Sequence, residues 1–100
     1  MVMEINQNEF EEKVKEGGKV LVDCFAEWCG PCKMLSPVID KLAEEMDTCT
    51  FYKLNVDDAE EVTTKYGIMS IPTLLLFESG ELKRTSVGFK SADELREFIG

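Results

Sequence analysis

The sequence predicts an α/β fold: a mixed five-stranded sheet with helices on both faces. Short apolar runs alternate with amphipathic segments along the chain, which is typical of strands joined through helices. The run from Val20 to Ala26 is apolar at nearly every position, as in a central strand covered on both faces. The 100 residues suit one domain with its own core, so we expect a single domain over 1–100.

The first strand and helix precede this central strand. Residues 2–5 predict a short strand. Asn8 and Glu11 have the spacing of a capping box, so we expect a helix to begin at Asn8. We expect it to end at the glycine pair Gly17-Gly18.

A long helix follows the central strand. Apolar side chains recur at helical spacing over residues 32–46. Pro37 lies inside this segment and is expected to kink the helix, because its ring displaces a backbone hydrogen bond. Residues 51–56 predict the next strand.

The C-terminal half predicts a helix, a hairpin and a last helix. Asp58 and Ser91 are each followed three residues later by a glutamate, so each is expected to cap a helix. Gly67 should end the first of these helices. Strands 73–77 and 82–87 form the hairpin. Right-handed crossovers make the first three strands parallel, and the hairpin adds antiparallel ones.

The charge of the chain limits its partners. Acidic residues outnumber basic ones by 20 to 11, a formal net charge of -9. Nucleic acids and anionic membranes repel such a protein, so we expect neither as a partner. The start has no signal-peptide pattern, and the longest apolar run, Leu74–Phe77, is too short to span a bilayer. We therefore expect a cytoplasmic protein, and nothing demands more than a monomer.

Two of the four cysteines have a spacing that suits thiol–disulfide exchange. Cys29 and Cys32 lie where the central strand meets the long helix, close enough to form a disulfide. Backbone amides at a helix N-terminus favour the thiolate of Cys29, which we expect to be the more exposed sulfur. Cys29 would attack a target disulfide, and Cys32 would resolve the mixed disulfide.

Two other interpretations of this pair are weaker. A metal site needs more ligands than one C-x-x-C pair supplies, and the chain contains no histidine. A structural disulfide closing so short a loop would constrain the unfolded chain very little. We therefore expect no metal.

The segment Trp28-Cys29-Gly30-Pro31-Cys32-Lys33 resembles the active-site motif of the thioredoxin family. The resemblance covers nearly the whole chain. It continues through Val22-Asp23, Ala26-Glu27, residues 53–57, residues 66–68, residues 71–77, Gly80 and Gly88.

This resemblance implies a thioredoxin fold and a protein-disulfide reductase. Its targets would be disulfide-containing proteins, and Gly-Pro between the cysteines implies the reducing direction. A separate thioredoxin reductase, linked to NADPH or to ferredoxin, would recharge it. The redox-active disulfide would replace any cofactor, and the chain has no nucleotide-binding glycine motif. A disulfide isomerase or oxidase, and a binding subunit of a larger assembly, remain as alternatives.

Asp23 interrupts the central apolar run. A buried carboxylate is costly and its pKa rises, which suits a proton acceptor for Cys32. The resemblance implies that Asp23 lies beneath the cysteines with Lys53 nearby. Alternatively, Asp23 ends its strand in water and Lys53 is simply solvated.

The resemblance also implies a surface that binds substrate. A cis bond before Pro72 would lie beside the cysteines, and the backbone of Ile71 would pair with an extended target segment. The alternatives are that Pro72 only begins a strand and that Trp28 is a partly buried packing residue, a role compatible with binding. The expected surface consists of Trp28, Gly30, Pro31, Ile71, Pro72, Val87 and Gly88.

The two remaining cysteines depart from the family pattern. Cys24 stands where relatives often have a large aromatic residue, and we expect it to fill the core. Cys49 precedes the third strand, where an exposed thiol would be open to oxidation or glutathionylation, although we do not expect it to be regulatory.

Overall fold

The computed structural model describes residues 1–100. In chain order, its elements are β1 (Met3–Ile5), α1 (Gln7–Val14), β2 (Lys19–Phe25), α2 (Gly30–Glu45), β3 (Cys49–Asn55), a 3₁₀ helix (Val56–Asp58), α3 (Glu60–Lys65), β4 (Thr73–Glu78), β5 (Glu81–Val87) and α4 (Ala92–Ile99).

The strands form one sheet in the order β1-β3-β2-β4-β5. β1, β2 and β3 are parallel, and β4 and β5 pair antiparallel at the other side. The predicted mixed sheet, with its central second strand and closing hairpin, is confirmed. The hairpin turns through Ser79 and Gly80, whose φ angles of 52° and 83° match a two-residue turn with two left-handed positions.

β2 contributes to two cores because side chains alternate between the faces of a strand. Val20, Val22 and Cys24 pack on one side with α1 and α3. Leu21 packs on the other with Leu35, Ile39 and Leu42 of α2 and with Leu95 and Ile99 of α4. Burying each such aliphatic side chain contributes about 1.5–3 kcal/mol. Alternation also directs Asp23 toward α2, the helix that begins at the cysteines.

The predicted start of α1 is wrong by two residues. The capping box is formed by Asn6 and Glu9, with both reciprocal hydrogen bonds at 3.0 Å. Two Asn-x-x-Glu patterns overlap here, and the earlier one forms the cap. It makes the helix longer, and Phe10 and Val14 still reach the core. The helix ends at Val14, before the two glycines with positive φ.

The predicted cap of α3 is also wrong. Asn55 accepts a hydrogen bond from the Asp57 amide and begins a 3₁₀ helix, which takes up Asp58. α3 begins after Ala59, which has no capping side chain. Its amides are satisfied from α1 instead: Oε1 of Gln7 accepts from the amides of Glu61 and Val62 at 2.6 and 3.2 Å.

Two other predicted features are confirmed, the kink at Pro37 stays a prediction, and the strand boundaries move by one or two residues. Gly67 has a φ of 63° and ends α3, with the amide of Ile68 bonded back to the Thr63 carbonyl at 2.9 Å. Ser91 and Glu94 form the capping box of α4, and Pro37 lies inside α2. β3 begins at Cys49 rather than at residue 51, because Cys49 pairs with Lys19 of β2. No helix has both the length and the apolar character that crossing a membrane requires.

Candidate active site

Cys29 and Cys32 form a disulfide at the N-terminus of α2, with their Cα atoms 5.3 Å apart. Cys29 is the N-cap of the helix in an extended conformation, and its Sγ accepts a hydrogen bond from the Cys32 amide at 3.2 Å. Pro31 occupies the first turn, where a missing N–H costs nothing. The amide and the helix dipole both favour negative charge on Sγ of Cys29.

The two sulfurs differ in their surroundings rather than in exposure. Cys29 and Cys32 are 4% and 3% exposed, so residue exposure does not distinguish them, and the greater exposure of the Cys29 sulfur stays a prediction. Sγ of Cys29 lies 3.8 Å from the carbonyl oxygen of Ile71, on the side of the exposed apolar surface. Cys32 lines a half-open cavity instead. The two sulfurs therefore have different neighbours: the Ile71 carbonyl for Cys29 and the cavity for Cys32.

Asp23 lies below Cys32 in that cavity. Its side chain is buried, with 4% exposed, and Oδ1 has no hydrogen-bond partner. Burial raises the pKa of Asp23 from 3.8 to about 7; the positive charge of Lys53 opposes this shift and the negative charge of Asp40 adds to it. The interpretation of Asp23 as a solvent-facing strand end is wrong. The carboxyl group can change its protonation state near neutral pH.

The cavity has a volume of about 210 Å³ and joins the carboxyl group to the sulfur. Lys53 lines it from β3, where it is paired in register with Asp23, and its ammonium lies 5.7 Å from the centre of the Phe25 ring. Ser36 lines it from α2. The structure therefore places Lys53 beside Asp23, as the resemblance implies.

The predicted substrate surface surrounds Cys29. The Ile71–Pro72 bond is cis, and Ile71 packs against the cysteine pair. The Gly88 amide donates to the Pro72 carbonyl at 2.8 Å, and Val87, 63% exposed, pairs with Thr73. Gly30 and Pro31 follow Cys29 directly and are exposed. All seven predicted residues thus lie in one region.

Trp28 is the largest exposed apolar group in this region, with 71% of its surface accessible. Its indole Nε1 donates to Oδ2 of Asp57 at 2.9 Å, which fixes the orientation of the ring. Trp28, Ile71 and Met69 line a common cleft of about 250 Å³. Asp57 entered only through the family resemblance, and neither Met69 nor Ser36 was predicted as a site residue, although Ser36 lies one helical turn after Cys32.

The other two cysteines lie in the two cores. Cys24 is fully buried, and burial, followed by the charge of Asp23, raises the pKa of its thiol. Cys49 is 8% exposed, and burial raises its pKa to about 11. The predicted core role of Cys24 is confirmed. The predicted exposure of Cys49 is wrong, because extending β3 by two residues places it among the side chains under α2.

The model of the Thioredoxin family matches residues 1–100. The chain belongs to the thioredoxin family. It is 46% identical to a thioredoxin of Chlamydia muridarum, covering 99% of this chain and 96% of that protein. It is 44% identical to a thioredoxin of Bacillus subtilis, covering 98% and 94%. A mutant thioredoxin from Halobacterium salinarum has the same fold, with a TM-score of 0.91 at 36% identity over 98% of this chain and 87% of that one.

Membership of the family defines the activity of the site. Thioredoxins are thiol–disulfide oxidoreductases, and this chain is a protein-disulfide reductase that acts through the Cys29–Cys32 couple. The family uses its own dithiol, so the reaction needs no separate cofactor. Its general partners are disulfide-containing proteins and a thioredoxin reductase. The predictions of fold class and reaction are confirmed.

Proposed function

We propose that Cys29 attacks the target disulfide and that Cys32 resolves the resulting mixed disulfide. The contrast between the two sulfurs supports this assignment. Sγ of Cys29 receives the Cys32 amide and lies 3.8 Å from the Ile71 carbonyl, toward the exposed surface. Cys32 lines the cavity that holds Asp23. A target therefore reaches Cys29, and a proton acceptor lies near Cys32.

The two steps exchange one disulfide for another. The Cys29 thiolate bonds to one target sulfur, and the second target sulfur leaves with the electron pair and takes up a proton. Cys32 then loses its proton to the Asp23 carboxylate and attacks Sγ of Cys29. The bond from Cys29 to the target breaks, and the target leaves as a thiol. Two electrons have passed to the target, and Cys29–Cys32 is oxidised.

Asp23 and Lys53 have different roles in this proposal. Asp23 accepts the proton, since a carboxyl group with a pKa of about 7 can both take up and release one near neutral pH. Lys53 acts through Asp23: its positive charge lowers the pKa of that carboxyl and keeps it partly ionised. Lys53 is thus a positioning residue.

The surface around Cys29 docks an extended segment of the target. The backbone of Ile71 would hydrogen-bond to the segment as an added strand does, which brings the target sulfur to Cys29. Exposed Trp28 and Val87 supply apolar contact, and Gly30 and Gly88 let a second backbone approach closely. The remaining members of this surface are Pro31 and Pro72.

The proposal extends to the oligomeric state, the cellular compartment and the reductase that recharges the protein. We expect a single-domain monomer that works in the cytoplasm, where thiols are kept reduced. A thioredoxin reductase linked to NADPH or to ferredoxin would recharge it. A reducing midpoint potential of the Cys29–Cys32 couple would agree with this, and a strongly oxidising one would indicate an oxidase.

The assignment of the sulfurs is tested by trapping. Wild-type protein with dithiothreitol should reduce insulin. The Cys32→Ser variant should stall as a mixed disulfide through Cys29, seen by non-reducing electrophoresis and peptide mass mapping. The matched Cys29→Ser variant should trap nothing. Trapping through Cys32 in the Cys29→Ser variant, with none in Cys32→Ser, would reverse the two roles.

A further inference from the structure

The cavity beneath the cysteine pair contains a polar side chain with no role in the steps above. Ser36 lies four residues after Cys32 in α2, so the two side chains share one face of the helix. Ser36 is half-buried and lines the same cavity of about 210 Å³ as Cys32 and Asp23. The hydroxyl, thiol and carboxyl groups therefore border one space.

Asp23 needs a partner in that space. Its Oδ1 is buried and bonded to no protein atom, and a buried carboxyl oxygen in this state is costly. A cavity of about 210 Å³ with polar groups on its walls is large enough for water. A water bound to Oδ1 would need further partners to hold it in one position.

Ser36 is chemically suited to hold such a water. A proton relay needs groups that both donate and accept hydrogen bonds. Lys33 and Lys53 only donate, and an ionised Glu27 only accepts. The hydroxyl of Ser36 does both and carries no charge. Among the polar side chains on the cavity wall, other than the reacting pair, only Ser36 has this property.

We propose that the hydroxyl of Ser36 positions a water molecule that carries the proton from the Cys32 thiol to the Asp23 carboxylate. The Cys32 S–H gives its proton to the water, and the water gives one of its own to Oδ1 of Asp23. The water is regenerated and Cys32 becomes a thiolate, which attacks Sγ of Cys29. This inference rests on the proposed function of Asp23 as proton acceptor. Ser36 is a positioning residue, since it makes no bond to either sulfur.

Several charged side chains near Asp23 affect the ionisation of its carboxyl group, on which the relay depends. Lys53 approaches from β3 and favours the ionised carboxylate, whereas Asp40 of α2 disfavours it. Glu27 and Lys33 lie at the exposed edge of the cavity. All four charges remain in a Ser36 variant, so a change in the pH profile of that variant comes from the lost hydroxyl.

Stopped-flow reaction of the reduced protein with dithiobis(nitrobenzoate) separates the two steps. The first thionitrobenzoate released reports the attack by Cys29, and the second reports resolution by Cys32. Cys24 and Cys49 should react much later, because burial raises the pKa of both thiols. Ser36→Ala should leave the first phase unchanged and slow the second about fivefold at pH 7, as expected for losing one hydrogen bond in the relay. Ser36→Thr keeps a hydroxyl and should restore the rate.

The pH profile and a double variant separate this role from a structural one. In Ser36→Ala, the second phase should keep rising with pH where the wild type levels off, because hydroxide replaces the relay. In the Asp23→Asn background, Ser36→Ala should have no further effect. Additive effects, or an unchanged second phase in Ser36→Ala while Asp23→Asn slows it, would overturn the role of Ser36 alone. A normal second phase in Asp23→Asn would overturn the proposed function itself.

Discussion

Asp23 and Lys53 stand opposite each other in the parallel pairing of β2 with β3, yet Oδ1 of the carboxyl group has no hydrogen-bond partner. Lys53 lowers the pKa of Asp23, but burial outweighs it and the pKa rises to about 7. The sheet therefore contains a carboxyl group whose ionised form destabilises the fold. Such a cost is expected where a side chain is kept for its chemistry.

The pH dependence of stability should reveal this cost. Between pH 3.8 and about 7 the folded state keeps a proton on Asp23 that the unfolded chain has released. The associated stability is therefore full below 3.8 and is lost as the pH rises through 7. Three pH units at about 1.4 kcal/mol each give an upper bound of about 4 kcal/mol.

Asp23→Asn should remove this dependence and stabilise the oxidised protein at pH 8. The difference in unfolding free energy between variant and wild type should shrink by about 2 kcal/mol on moving from pH 8 to pH 5. Urea unfolding at both pH values measures it. Exposed Asp47 provides the control, because Asp47→Asn should give the same small difference at both. A pH-independent difference for Asp23→Asn would mean that its pKa is not raised.

Removing the partner of the Trp28 indole should weaken target binding. In Asp57→Ala the ring loses the 2.9 Å hydrogen bond that orients it, so we expect KM for insulin to rise about two- to fivefold with kcat nearly unchanged. Tryptophan fluorescence anisotropy should fall, because the chain has one tryptophan and its ring becomes more mobile. Asp57→Asn retains an acceptor oxygen and should behave as wild type. An unchanged anisotropy in Asp57→Ala would show that the bond does not hold the ring.

Gln7 should stabilise α3, although the two are far apart in the sequence. Its Oε1 accepts from the amides of Glu61 and Val62, replacing the side-chain cap that α3 lacks. Gln7→Ala should lower the unfolding free energy by about 1–2 kcal/mol, the usual effect of losing an N-cap. The control is Glu12→Ala on the exposed face of α1, which should change it by less than about 0.5 kcal/mol. Equal effects of the two changes in urea unfolding would rule out the cap.

Local patterns in the sequence predicted most of the fold but not its long-range contacts. The continuous apolar run predicted that β2 is central, and the Ser91–Glu94 spacing predicted the start of α4. The overlapping Asn-x-x-Glu patterns at Asn6 and Asn8 could not be separated locally, since both fit a capping box. The cap from Gln7 joins residues 54 positions apart, which no local pattern reveals.

In the candidate site, too, the local features could be predicted and those that depend on long-range contacts could not. The cysteine pair and Asp23 could be predicted as site residues, because each stands out locally: the cysteines by their spacing and Asp23 as an acidic residue within an apolar strand. The burial of Cys49 was missed, because it depends on the register between β2 and β3. The different surroundings of the two active-site sulfurs likewise depend on the fold, since the Ile71 carbonyl and the Asp23 cavity come from distant segments.

The chemical inequality of Cys29 and Cys32 is measured most directly by brief alkylation of the reduced protein with iodoacetamide at pH 7, followed by peptide mass mapping. Cys29 should be modified first, because the Cys32 amide and the start of α2 favour its thiolate. Cys32 should lag, and Cys24 and Cys49 should stay unmodified until the chain is unfolded, because burial raises the pKa of both thiols. Modification of Cys32 before Cys29, or of neither, would contradict the account.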